Sequence, residues 1–346
     1  MKREAIDTVS PILEEYGAMT RAAMADYLPN WEPLDYLYKP MADYPLRGGK
    51  YMRPSLCIAT AVAFGAPTAR AVKAAVSIEM LHNALLIHDD IEDESAERRG
   101  QKTLHEIHGV PIALNAGDAL AMMSLRPLLD SVKQVNPNLA MTMLRDMERM
   151  ARESAEGQAI ELGWRATPAV RPTRDDYLEM VLKKTCWLAA IFPCRIGAAF
   201  GVENRGRMAE DAFIRFGFYF GAAFQTHDDV LNLRGGLGYG KESCGDLWEG
   251  KRTLMLIEIA DQLKGRDADR FDRFLHASRE ERREEDVAWL LHLMQESGAI
   301  DHAFEFSQSL AGAAIHEFEK MFETVPDGRD KTFIRDLITW TFRRER

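Results

Sequence analysis

Apolar residues recur at three- and four-residue steps along most of this 346-residue chain, and strand-like alternation is almost absent. That period predicts an all-α fold in which helices pack on helices. Residues 68–92 show it most clearly. Val72, Ala75, Val76, Ile78, Leu81 and Leu85 recur at helical spacing, and Thr68 is placed to cap the start. Similar patterns predict helices, some with internal breaks, over 112–133, 138–162, 175–200, 206–233, 251–264, 282–325 and 330–344. Three segments read as loops: residues 46–49 between Pro45 and Pro54, the proline-containing 166–174, and the glycine-rich 234–245. Nothing resembles a flexible linker, so residues 1–346 are expected to form one large helical domain, although the length would allow two.

Composition narrows the function. The formal net charge of −10 is a poor basis for general nucleic-acid binding, which needs a basic surface. Cys57, Cys186, Cys194 and Cys244 form no C-x-x-C pair, which disfavours a zinc ribbon and fits a reducing compartment. No secretory signal is visible, and no run reaches the ~18 apolar residues of a membrane span. A cytoplasmic protein without membrane span or nucleic-acid partner is expected.

One local pattern occurs twice. His88-Asp89-Asp90-Ile91-Glu92-Asp93 and His227-Asp228-Asp229-Val230-Leu231-Asn232 each follow an apolar helical stretch. Residues four apart share a helix face, so Asp89 and Asp93 should point together, with Asp90 beside them. Asp228 and Asn232 should do the same beside Asp229. Clustered carboxylates at the end of an apolar helix repel, and a hard cation relieves the repulsion. Mg²⁺ takes few protein carboxylates and completes its shell with phosphate and water. Two such clusters therefore point to a polyphosphate held between metal ions. No H-x-x-x-H or H-E-x-x-H accompanies them, which disfavours zinc.

Basic residues recur near these clusters and the glycine turns, as an acidic protein that binds an anion requires. Lys50 and Arg53 adjoin Gly48-Gly49 before a helix start, Arg98-Arg99-Gly100 follows the first cluster, and Lys183-Lys184-Thr185 lies mid-chain. Lys241 and Lys251-Arg252-Thr253 follow the second cluster. Walker, Rossmann and G-x-S-x-G patterns are absent or out of context.

Together these segments resemble the trans-isoprenyl diphosphate synthases (polyprenyl synthetases). Gly48-Gly49-Lys50-Tyr51-Met52-Arg53-Pro54 is similar to their G-G-K-x-x-R-P signature. Asp89-Asp90-Ile91-Glu92-Asp93 with Arg98-Arg99-Gly100 is similar to the first aspartate-rich motif, and Gln225-Thr226-His227-Asp228-Asp229 to the second. Lys241 and Gly250-Lys251-Arg252-Thr253 match the lysines that follow. The resemblance implies an antiparallel helical bundle around a central cavity (the isoprenoid synthase fold), usually homodimeric. It implies head-to-tail condensation of isopentenyl diphosphate with an allylic diphosphate, dependent on Mg²⁺, with three ions bound alongside diphosphate. Asp89, Asp90, Asp93, Asp228, Asp229 and Asn232 would hold the metal. Arg98, Lys184, Thr185, Gln225, Lys241 and Lys251 would contact or organise the allylic diphosphate, and Lys50, Arg53, His82 and Arg99 would hold isopentenyl diphosphate. Asn232 departs from the family pattern, where many members have a third Asp.

With that function, the product tail should run back along the helix carrying Asp89, where each turn rises about 5.4 Å, close to one isoprene unit. Ala84 and Leu85 leave room, and Leu81 and Ile78 would limit the chain deeper in. Geranylgeranyl diphosphate is the expected product, with farnesyl and geranylfarnesyl diphosphate as alternatives. A class I terpene cyclase and a non-catalytic synthase subunit are the rival readings.

Overall fold

The computed structural model describes residues 7–202, 210–234 and 244–342. Its described residues are helical almost throughout. The first helices are α1 (Ser10–Met24), α2 (Lys39–Leu46), α3 (Met52–Ala63) and α4 (Thr68–Glu92). After a hairpin of β1 (Glu97–Arg98) and β2 (Gln101–Lys102) come α5 (Leu104–His108), α6 (Val110–Met123), α7 (Leu125–Val132) and α8 (Pro137–Ala166). Next, α9 (Arg174–Val181) runs through a π-helical segment (Leu182–Ile191) into α10 (Phe192–Val202), followed by α11 (Glu210–Arg234). The remainder is α12 (Gly245–Glu249), α13 (Leu254–Ala260), α14 (Arg266–His276), α15 (Glu284–Glu296), α16 (Ala299–Met321) and α17 (Arg329–Trp340).

Helix α4 has buried residues on all sides, because it is sandwiched between two cores. One face joins the main core through Ala71, Ala74, Ala75, Ile78 and Leu81. The other contributes Val76, Met80, Ala84 and Ile87 to a smaller core with Met41, Tyr44, Ala113, Ala116 and Leu120. Polar residues on α4 are consequently buried too, including Glu79, Asn83 and Asp90. Around α4, α3 packs on α10, α11 packs on α16 and the π segment, and α8 packs on the π segment. A buried ion pair ties α8 to α10, with Arg195 Nε and Nη2 donating to Asp146 at 2.9 and 2.8 Å.

The predicted boundaries of α4 match, but Thr68 does not cap it. Pro67 precedes the first turn, and no side chain accepts there. The expected helix over 112–133 divides at Ser124, whose hydroxyl donates to Ala121 O at 2.6 Å. The expected 282–325 divides at Gly298, which adopts φ +77°. The hairpin went unpredicted because two-residue strands carry no periodicity. Its turn puts Arg99 and Gly100 at φ 55° and 71°, the positive angles that primed hairpin turns need. The glycine-rich 234–245 segment falls mostly outside the described residues, and Lys241 with it. No helix among the described residues is long and apolar enough to cross a membrane.

Candidate active site

The two acidic clusters meet. Asp89 and Asp93, at the end of α4, and Asp228, on α11, line one cavity of about 520 Å³ together with Lys184 and Lys251. Asp93 accepts from Lys251 Nζ at 2.8 Å and from Arg165 Nη1 at 2.6 Å. Burial alone would raise its pKa, but Lys251, Lys184 and Arg165 outweigh burial and hold the carboxyl well below its usual range. The Asp89 carboxylate makes no hydrogen bond or ion pair among the described residues, and burial raises its pKa despite Lys184 and Lys251 nearby. Burial disfavours the charged form of Lys184 and Lys251 as well, yet the surrounding carboxylates push both lysines upward. Both stay cationic beside the acids.

The far wall depends on the π-helical segment. An extra residue per turn re-aims the side chains that follow it, and such segments gather at functional sites. Here it carries Lys184, which donates to Glu161 Oε1 at 2.6 Å, and Thr185, which donates to Gln225 Oε1 at 2.9 Å. Gln225 Nε2 in turn donates to Asp229 Oδ1 at 2.8 Å, and Tyr177 OH donates to Asp229 Oδ2 at 2.8 Å. Burial pushes the Asp229 carboxyl up to about 7, against the pull of these two donors. Asp229 lines a smaller adjoining pocket of about 60 Å³ with Tyr177, Glu161 and Asp246. Gly157 lets α8 touch the π segment. A Cβ there would stand 2.2 Å from Lys184 N.

Arg53, His82 and Arg98 line another side of the large cavity. Burial and Arg53 push the His82 imidazole down to about 4, so it is neutral near pH 7. Beneath them lies Glu79, 3% exposed, with Oε2 3.7 Å from His82 Nδ1 and Oε1 accepting from Asn83 Nδ2 at 3.0 Å. Glu79 is a buried counter-charge that also acts on Arg53 and Arg99. Arg99 lies over Gly49, and its Nη1 donates to Tyr44 O at 2.9 Å. Arg47 clamps the hairpin, donating to Arg98 O at 3.0 Å and Lys102 O at 2.8 Å.

Several expected site residues have other placements. The Asp90 carboxylate is fully buried and is taken up by Arg98, with Nε–O distances of 3.0 and 3.2 Å, and by Tyr44 OH at 2.5 Å. It anchors Arg98 and does not line the cavity that Asp89 lines. Asn232 Oδ1 accepts Asp246 N at 3.1 Å and its backbone O accepts Cys244 N at 3.2 Å, so it docks the start of α12. Asn232→Ala is therefore expected to cost about 1–2 kcal/mol in chemical denaturation. Lys50 is exposed and outside the cavity lining. Ala84 is sealed in the smaller core, and Ile78 and Leu81 lie in the main core; of the four chain-length candidates, only Leu85 lines the cavity. The helical wheel misled at position 84 because both faces of α4 are buried.

Glu79, Gly157, Glu161, Arg165 and Tyr177 were not anticipated. Only Gly157 carried a signal, since glycine inside a helix is disfavoured unless a backbone must approach closely. Among the described residues, no three carboxylate, imidazole or thiol groups converge to cage an ion by themselves. The donors instead fit Mg²⁺ shared with a diphosphate: all-oxygen ligands on facing helices, with Asp89 free of protein donors and cations placed behind.

A model of the polyprenyl synthetase family matches residues 35–294. Over 337 residues the chain is 30% identical to the geranylgeranyl pyrophosphate synthase of Geoglobus acetivorans, covering 97% of this chain and 99% of that protein. It is 32% identical over 296 residues to the all-trans-nonaprenyl-diphosphate synthase (geranyl-diphosphate specific) of Rhodobacter capsulatus, covering 85% and 84%. The crystal structure of geranylgeranyl pyrophosphate synthetase from Pyrococcus horikoshii Ot3 superposes with a TM-score of 0.84 at 27% identity, covering 96% of this chain and 98% of that one. With an all-helical fold and both acidic clusters on one cavity, this chain belongs to the polyprenyl synthetase family.

Proposed function

We propose that this chain condenses isopentenyl diphosphate head to tail with an allylic diphosphate, giving an all-trans short-chain prenyl diphosphate, geranylgeranyl diphosphate. The observation that carries the reading is the facing of Asp89 and Asp93 toward Asp228 across a cavity that also holds Lys184 and Lys251. Asp89, Asp93, Asp228 and Asp229 are the proposed holders of Mg²⁺, three ions with bound diphosphate, and Asp90 and Asn232 position their neighbours. When bound, the metal neutralises negative charge on the diphosphate.

The chain's own groups do the rest. Lys184, Lys251 and Arg98 face the leaving diphosphate as the carbon–oxygen bond breaks and the bonding electron pair adds one negative charge to it. Thr185 and Gln225 orient that end of the substrate. Arg53, His82 and Arg99 hold the diphosphate of isopentenyl diphosphate, so its double bond meets the allylic cation in fixed geometry. Leu85, Leu162, Leu188 and Phe224 line the apolar side and keep water from the cation. The new carbon–carbon bond forms, and the final proton leaves to the released diphosphate, so no protein base is assigned.

Relatives at similar identity are named for different products, so chain length is argued from the cavity. Leu85, one turn before Asp89, faces it, and Leu81 closes the core one turn deeper. Leu85→Phe is expected to shift the product from twenty carbons to fifteen. Ala84→Phe should leave product length alone and lower stability by about 1–3 kcal/mol, the cost of overpacking a closed core. Chromatography of the dephosphorylated products decides; a shorter product from the Ala84 variant alone contradicts the assignment.

A homodimer is supported by Ile107, Val110, Leu114, Met122 and Leu129, which are exposed on consecutive helices α5, α6 and α7. Four buried cysteines, none of them in a disulfide, support a reducing, cytoplasmic setting. The deciding experiment incubates the purified chain with labelled isopentenyl diphosphate, Mg²⁺ and dimethylallyl, geranyl or farnesyl diphosphate. A Mg²⁺-dependent twenty-carbon prenyl product is expected. Failure to elongate any acceptor overturns the reading.

A further inference from the structure

Five arginines gather beside the cavity, and the condensation engages only Arg165 among them, through Asp93. Arg165 lies in the last turn of α8, Arg171 in the loop after it, Arg252 after Lys251, and Arg279 and Arg282 before α15. They are close enough to act on one another. Burial and then Arg171, Arg282 and Arg165 push the Arg252 guanidinium down to about 10; burial, Arg165 and Arg279 do the same to Arg282 against the pull of the Glu249 carboxylate.

Gly250 is the meeting point. A Cβ there would lie 2.3 Å from Arg282 Nη2, and Gly250 O accepts Arg252 Nη1 at 2.6 Å. Three of the arginines have acids nearby: Arg165 pairs with Asp93, Arg171 with Asp272, and Arg279 Nη1 lies 4.0 Å from Glu249. Arg252 and Arg282 pair with no carboxylate among the described residues. Among the described residues, Arg252 otherwise reaches Trp164 O at 3.4 Å, and Arg282 donates to Trp248 O at 2.5 Å. The Nε atoms of both are buried without a partner, and Arg252 is 4% exposed. Arg252 is thus a buried cation held by carbonyls among the described residues, while Arg282, partly exposed, lies 5.1 Å over the Phe274 ring with Glu249 acting from nearby. Leaving such a buried charge without a counter-ion is costly, and a multivalent oxyanion is the complement of two guanidinium forks.

We propose that Arg252 and Arg282, flanked by Arg165 and Arg279, form a binding site for a phosphate-class dianion that lies outside the large cavity and adjoins the small pocket where Arg252 stands beside Asp228 and Asp229. Free inorganic phosphate and released diphosphate share that chemistry. The site adjoins the reaction centre, because Arg165 also donates to Asp93 and Gly250 precedes Lys251. Occupancy therefore bears on how Asp93 and Lys251 are held.

Calorimetric titration of the full chain in EDTA at constant ionic strength tests this, with inorganic phosphate and diphosphate as separate probes. Saturable phosphate binding at one site per chain is expected. Lys184→Gln, in the large cavity, should leave it within about twofold, whereas Arg282→Gln should weaken it about tenfold or more. Arg279→Gln should weaken it by a smaller factor and decides the matter if the Arg282 variant fails to fold. Diphosphate binding more tightly than phosphate at this site identifies the released leaving group as its source; the reverse order identifies free phosphate. Heats that match sodium chloride, or saturable binding unchanged in the arginine variants, overturn the site.

Discussion

Asp89→Asn is expected to lower kcat about 10³-fold, the scale of loss when a charge-organising group is removed from a water-excluded site. Melting temperature should stay level or rise slightly. The Asp89 carboxylate makes no hydrogen bond or ion pair among the described residues, and burial already opposes its charge, so the amide removes a strain rather than a support. Activity and stability should therefore separate at this position. Single-turnover assays at saturating Mg²⁺ together with thermal melts check both. Activity within tenfold of wild type would place the essential carboxylates elsewhere. Asp93 should behave differently, because its removal strands Lys251 and Arg165 as well.

Gly157→Ala is expected to damage stability and activity together. The added Cβ would lie 2.2 Å from Lys184 N and 2.7 Å from Lys184 Cα, and both are backbone atoms that no rotamer change can move. Helix α8 and the π segment must part, at a cost of about 1–3 kcal/mol or more. The same movement stretches the 2.6 Å contact between Lys184 and Glu161 and displaces Lys184 from the acids. A misplacement of about 1 Å can cost about 10²-fold in rate, so a loss of that order is expected. Urea unfolding and steady-state kinetics provide the readout. Wild-type values in both would mean that the helices separate without effect on the site.

The chemistry was legible in the sequence because its key groups lie close together in the chain. Asp89 and Asp93 share a helix face by periodicity alone, and the G-G-K-x-x-R-P loop and Lys251 are local words that keep their meaning wherever the helices pack. The helical class and the limits of α4 were legible for the same reason: a 25-residue apolar pattern leaves few other folds.

What the sequence could not convey are relations between segments distant in the chain. Asp90 and Asp89 are neighbours in sequence, yet Arg98 and Tyr44 capture one while the other faces the cavity. Periodicity assigns a residue to a face of α4 but does not say which face meets the cavity when both are buried, hence Leu85 lines the cavity while Ala84, named with it, lies in the smaller core. Glu161, Arg165 and Tyr177 join the site only because α8, α9 and α11 close on the π segment, and their hydrogen bonds span 23 to 72 residues. Local sequence determined the helices, the acidic clusters and the reaction class. The packing of α4 between two cores, the re-aiming of Lys184 by the π segment and the convergence of the arginines around Gly250 were decided by tertiary structure, because each depends on which surfaces exclude water together.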